Sequence, residues 1–98
     1  MRRLYSVSIC REGILGGSLR IEDNGLRYRT NKLTVSPMLK NLFMSFADIA
    51  DIRPRWWLIL PLIAVELKNG ECYSFILFGQ RAFFRALAEL GHSYGDPT

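Results

Sequence analysis

The side chains that most often carry catalysis or hold a metal are scarce in this chain of 98 residues, which has one histidine and two cysteines. His92 follows the last apolar segment in a polar tail, and the sequence offers it no identifiable carboxylate or hydroxyl partner. Cys10, Cys72 and His92 cannot supply the four ligands of a closed tetrahedral zinc site. A glycine-rich phosphate loop and a nucleophile elbow are also missing. We therefore expect a protein that is not an enzyme and that has no metal site and no cofactor.

Long apolar segments are missing as well. The uncharged run from Trp56 to Val65 has ten residues, whereas a transmembrane helix needs about 20. Pro61 interrupts this run, which favours a strand, a bend and a second strand. The chain starts Met-Arg-Arg without a long apolar run behind it, so we expect no signal peptide. Both cysteines are then expected to be reduced, in a cytoplasmic protein.

The composition is that of an ordinary globular protein, with 49% apolar residues, 22% charged residues and a net charge of +4, and the length suits one domain over residues 1–98. One segment, residues 79–91, predicts a helix because Phe83, Leu87 and Leu90 recur at helical spacing. Gly91 follows them at a position where helices often end. We expect residues 92–98 to form a frayed tail. The residues before the helix have the pattern of short strands, so the chain predicts a small curled sheet that the helix covers.

An Asn-Gly pair at residues 24 and 25 predicts the first β-hairpin. A two-residue type I′ turn there pairs Ile21 with Tyr28 in the core. The same register places Arg20 directly opposite Arg29 on the outer face.

A second Asn-Gly pair, at residues 69 and 70, predicts another hairpin. A two-residue turn would put Tyr73 on the polar face, opposite Glu66. A three-residue turn with Gly70 in the left-handed region puts Tyr73 opposite Val65 on the apolar face. Because register follows the hydrophobic pattern, we favour the bulged turn.

The order of these features resembles the GRAM and pleckstrin-homology (PH)-like families over residues 15–90. The resemblance is carried by a Gly-x-Leu-x-Ile strand, a Leu-x-Tyr strand, a Phe-Ala-Asp-Ile-x-x-Ile segment, and an Asn-Gly hairpin with Tyr-x-Phe before a final helix. The matching residues are Gly17, Leu19, Ile21, Leu26, Tyr28, Phe46 to Ile52, Tyr73, Phe75 and Phe83. The resemblance implies about seven antiparallel strands in two sheets that form a partly open barrel, with one C-terminal helix capping it. It also implies binding of lipid headgroups or of proteins. The lipid binders use basic residues between their first two strands, whereas this chain has Asp23-Asn24-Gly25 in that turn.

A basic cluster of Arg20, Arg27, Arg29 and Lys32 is the first candidate binding site. Like charges placed opposite each other in a sheet are destabilising, so the cluster predicts an acidic partner or an anionic membrane surface. The alternative is that Glu22 and solvent screen the charges. We expect no nucleic acid partner, because the basic side lacks the stacking aromatic residues that single-strand binders use.

A second candidate site combines Arg53, Arg55, Trp56 and Trp57. Neighbouring strand residues point to opposite faces, so we expect one tryptophan to be buried and the other exposed beside an arginine. Tryptophan and arginine together are typical of interface hot spots. The alternative is that the connection over residues 33–39 folds across the exposed ring.

These observations predict a binding or assembly module that acts by protein–protein interaction or self-association, such as a homodimer. The alternative is peripheral binding to anionic membrane lipid through the basic cluster, which would bring a cytoplasmic protein to a membrane surface.

Overall fold

The computed structural model describes residues 3–10, 14–30, 40–92 and 94. Seven strands and one helix follow each other along this part of the chain. The strands are β1 (Leu4–Cys10), β2 (Ile14–Glu22), β3 (Gly25–Arg29), β4 (Asn41–Ser45), β5 (Ile49–Trp57), β6 (Leu60–Leu67) and β7 (Cys72–Ile76). A short 3-10 turn, Phe46–Asp48, joins β4 to β5, and the helix α1 (Gln80–Glu89) follows β7.

Hydrogen bonding orders the strands β4-β3-β2-β1-β7-β6-β5, and every neighbouring pair is antiparallel. Strand β1 pairs with β2 along its whole length and with β7 at Ser8 and Ile9. This short second pairing joins the two halves, so the expected two sheets are one hydrogen-bonded sheet. In the described residues β4 and β5 are its edges. The structure confirms a mainly β, partly open barrel with a C-terminal helix, and β5 is the edge strand that tolerates Pro54.

The core lies inside the curl of the sheet and follows the two-residue alternation of the strands. On β1 the buried side chains are Tyr5, Val7 and Ile9. The other strands contribute Leu19, Ile21, Leu26, Tyr28, Leu42, Met44, Ile49, Ile52, Ile63, Val65, Tyr73 and Phe75. No charged side chain is buried among the described residues.

Helix α1 covers this core with the apolar stripe that the sequence predicts. Phe83 and Leu87 are fully buried, and the Phe83 ring meets the Tyr5 ring edge-on at 5.4 Å between centroids. The helix ends in a Schellman motif, in which Gly91 has φ of +88° and the amide of His92 donates to the carbonyl of Leu87 at 3.0 Å. This motif satisfies carbonyls that the helix end would otherwise leave unpaired. The predicted end at Gly91 is confirmed.

The β2–β3 hairpin has a different register from the one expected. Ile21 pairs with Leu26, and Arg20 lies opposite Arg27 rather than Arg29. The turn residues are Asp23 and Asn24, which do not have positive φ. Each residue of β2 pairs two positions away from its expected partner on β3. A shift of two residues leaves every side chain on the same face, so the hydrophobic pattern cannot distinguish the two registers.

Gly25 explains why the observed register is preferred. A Cβ atom there would collide with the carbonyl oxygen of Met44 and the ring of Phe43. The glycine is therefore needed where β3 passes close to β4, instead of in the turn.

The β6–β7 hairpin confirms the bulged turn. Tyr73 pairs with Val65, and Gly70 has φ of +95°. The amide of Gly70 donates to the carbonyl of Leu67 at 3.0 Å.

Candidate functional site

The β5–β6 hairpin ends in a turn that contains no conventional turn residue. Trp57 pairs with Leu60, so Leu58 and Ile59 form a two-residue turn between them. Pro61, where the sequence predicts a bend, lies inside β6 opposite Trp56 and is buried. The bend prediction is wrong in position, because the chain reverses at a leucine with positive φ.

Four consecutive apolar side chains are exposed at the end of this hairpin, which we call the apolar apex (Trp56, Trp57, Leu58 and Ile59). Their exposed fractions are 65%, 57%, 81% and 85%. The prediction that one tryptophan is buried is therefore wrong. Neighbouring strand β7 ends at Ile76, opposite Leu62, so the end of the hairpin extends beyond β7.

The backbone at the apex departs from ordinary turn chemistry. Leu58 has φ of +57° and is the only non-glycine residue with positive φ in the described chain. Positive φ at the first of two turn residues is the pattern of a type II′ turn, where glycine is usual. A branched apolar side chain in that conformation is strained, and such strain is concentrated at functional sites.

Arginines lie behind the apex along β5. The Nε atom of Arg53 contacts Asp51 at 2.9 Å and Glu66 at 3.4 Å. Arg55, which is nearer the apex, reaches the same Glu66 oxygen only at 4.0 Å. These carboxylates belong to the base of the hairpin, and in the hairpin between Asp51 and Glu66 there is no other acidic residue.

The base of the hairpin is attached to helix α1. The side-chain amide of Gln80 donates to the carbonyl oxygens of Arg55 at 3.1 Å and of Leu62 at 2.7 Å. One side chain at the start of the helix thus holds both strands where they leave the sheet. Phe78, just before the helix, is a further exposed apolar side chain.

The predicted basic cluster is less available to a binding partner than the sequence indicates, because one of its arginines is engaged within the chain. Arg27 donates to Glu22 and to Asn41, both at 2.8 Å, and lies over the ring of Phe43. Arg20 and Arg29 are exposed on the outer face of β2 and β3 and have no ion pair within the described residues. Lys32 lies outside the described residues, as does the connection over residues 33–39.

Chemically reactive side chains are dispersed in the described part of the chain. No three His, Cys, Asp or Glu side chains in it lie close enough together to hold a metal ion. Cys10 and Cys72 are exposed and are not joined in a disulfide, and partial burial raises the pKa of the Cys10 thiol. The His92 ring stacks on Phe46 at 3.9 Å between centroids. In this same part of the chain, no helix has the length and apolar character needed to cross a bilayer.

The sequence predicts Arg53, Arg55, Trp56 and Trp57 as one site but does not predict the two residues at the turn. Its pattern places Leu58 and Ile59 in the strand before Pro61. The available signal was the absence of glycine, asparagine and aspartate between two strands that must reverse direction.

The described structure is similar to the crystal structure of the C-terminal domain of an unknown protein from Leishmania infantum. The TM-score is 0.70 at 14% sequence identity, and the match covers 91% of this chain and 82% of that one. At this identity the similarity concerns the fold alone. No family model and no curated protein matches the chain, so the GRAM or PH-like resemblance stays a prediction.

Proposed function

We propose that this domain is a non-catalytic module that binds peripherally to anionic membranes by inserting the apolar apex of its β5–β6 hairpin. The observation that carries the proposal is the order of side chains along the hairpin. Leu58 and Ile59 are outermost, the two tryptophans follow, and Arg55 comes next. A membrane has the same order from its interior outward, with hydrocarbon first, then the interface that tryptophan prefers, then anionic headgroups.

The dimensions of the hairpin agree with this arrangement. A strand rises about 3.3 Å per residue, so Arg55 lies roughly 10 Å behind Leu58. Interfacial segments insert their apolar side to a depth of about 5–10 Å. Arg55 would then stand at the level of the headgroups when the apex is inserted.

The energies favour reversible attachment. An apolar side chain moved fully out of water contributes about 1.5–3 kcal/mol, and the apex presents four of them. Each arginine close to an anionic surface adds about 1 kcal/mol. The net charge of +4 acts in the same direction and makes the binding sensitive to salt.

Self-association through the apex is the second candidate, because an exposed apolar hairpin also suits a protein partner. A second copy does not need arginines behind the tryptophans, and in a symmetric contact the two Arg55 side chains would approach each other. The layered order therefore favours a membrane. The proposal keeps the PH-like assignment, which the strand order and the terminal helix support. It also keeps a cytoplasmic location, which the two cysteines without a disulfide support.

Sedimentation with vesicles tests the proposal. We expect the protein to pellet with vesicles that contain phosphatidylserine, to pellet less with neutral vesicles, and to be released by salt. The double variant Leu58→Ser, Ile59→Ser should bind at least about tenfold more weakly, since two apolar side chains are lost. Leu4→Ser is the matched control, because Leu4 is also exposed but lies on β1.

Three outcomes contradict the proposal. Equal pelleting of the double variant and the wild type would exclude the apex as the attachment site. A dimer in light scattering that the double variant abolishes, without any vesicle binding, would favour self-association. Binding of a single-stranded oligonucleotide instead of vesicles would favour nucleic acid, since the tryptophans do stand beside a basic residue, Arg55.

A further inference from the structure

A groove of about 410 Å³ crosses the outer face of the sheet beside the hairpin. Its floor contains Leu62 and Ile76, which pair directly across β6 and β7. Ile14 borders it on the far side, and Trp57 borders it on β5. Outward positions of a sheet are usually polar, so this apolar strip calls for an explanation.

The groove is elongated, because its lining residues belong to strands that are neighbours in the sheet. From Cys10 on β1 to Arg55 on β5 it crosses β7 and β6. Three strand spacings correspond to roughly 14 Å. The volume is within the range of small-molecule sites, about 300–1,000 Å³.

Among the described residues, one charged side chain lines the groove, and it lies at one end. Arg55 is on the edge strand β5, and its contact with Glu66 is 4.0 Å long because Glu66 is closer to Arg53. None of the described residues that line the groove carries a carboxylate. A ligand that fits is therefore long and apolar, with one negative group at one end.

We propose that this groove binds a free, single-chain anionic amphiphile of the fatty-acid class, with its carboxylate on Arg55 and its alkyl chain over Leu62 and Ile76 toward Ile14. This site adjoins the apolar apex: it shares Trp56 and Trp57 with it, but the outermost residues Leu58 and Ile59 do not line the groove. The carboxylate would form a charge-assisted hydrogen bond with the guanidinium of Arg55.

Titration with octanoate, decanoate and dodecanoate below their micellar concentrations tests the proposal, with the fluorescence of Trp56 and Trp57 as the signal. Both tryptophans of the chain line the groove, so we expect a blue shift on binding. Affinity should increase about fourfold for each methylene that enters the groove. Affinity that does not change with chain length, or the absence of any saturable shift, would overturn the proposal.

Two variants locate the ligand. Ser74→Phe fills the groove floor and should weaken dodecanoate binding at least tenfold, whereas Leu58→Ser, Ile59→Ser should leave it unchanged. Arg55→Gln changes an exposed side chain and should weaken dodecanoate about tenfold without affecting dodecanol, which lacks the charge. Circular dichroism checks that each variant is folded. If Ser74→Phe does not fold, the Arg55→Gln comparison decides, and equal losses for dodecanoate and dodecanol would refute the assigned position of the carboxylate.

Discussion

Replacing Leu58 with glycine should make the protein more stable, although it removes an apolar side chain. Leu58 holds a left-handed backbone conformation, with φ of +57°, which costs a residue with a side chain about 1–2 kcal/mol. Its side chain is 81% exposed, so little burial is lost. Glycine adopts positive φ without strain but adds freedom to the unfolded chain, at a cost of about 0.5–1 kcal/mol.

The difference between these two effects predicts a gain of about 0.5–1 kcal/mol in the free energy of unfolding. In a domain of this size, 1 kcal/mol shifts Tm by about 4–8 °C, so we expect Tm to rise by about 4 °C. Thermal unfolding followed by circular dichroism measures it. The same variant should bind vesicles more weakly, which would separate the stability of the fold from the proposed function.

Ile59→Gly is the matched control, one residue further along the same turn. Ile59 is equally exposed but does not have positive φ, so glycine relieves no strain there and should lower stability by about 0.5–1 kcal/mol. The two substitutions are thus expected to have opposite signs. A fall in Tm for Leu58→Gly as large as that for Ile59→Gly would show that the strain argument is wrong.

Much of the fold could be predicted from sequence because its determinants are local. The spacing of Phe83, Leu87 and Leu90 predicts the helix, and Gly91 predicts its end. The choice between two turns at Gly70 could be made because one of them moves Tyr73 to the wrong face. The partner of Arg20 could not be predicted, because the alternative registers of β2 and β3 differ by two residues and bury the same side chains.

The candidate site could be predicted only in part, for a different reason. The alternation along β5 predicts that Trp56 and Trp57 point to opposite faces of the sheet. Burial of a tryptophan also requires core residues under that face, and whether they are present depends on where the neighbouring strand β7 ends. The turn at Leu58 breaks the rule that positive φ belongs to glycine or asparagine. A local rule broken without an evident structural benefit is itself a sign of function, and it directs attention to the apex.

Two predictions concern the core. Leu87 is fully buried in α1, so Leu87→Ala should lower the free energy of unfolding by about 2–5 kcal/mol in urea, whereas Ala88→Ser on the exposed side should change it by less than about 0.5 kcal/mol. The second concerns Tyr28, whose buried hydroxyl donates to the carbonyl of Leu15 at 2.9 Å and whose pKa is raised by burial. Folding favours the protonated phenol, so Tyr28 contributes to the free energy of unfolding. This contribution is complete below the ordinary tyrosine pKa of about 10 and is lost as the pH rises through the higher pKa of the folded state. Tyr28→Phe should therefore be less stable than the wild type by about 1 kcal/mol at neutral pH but lose less stability in alkali. Tyr94, whose pKa is also raised, is present in both proteins, so the difference between their urea midpoints from pH 7 to about 11 reports Tyr28 alone. Parallel losses in the two proteins would mean that Tyr28 does not cause the alkaline sensitivity.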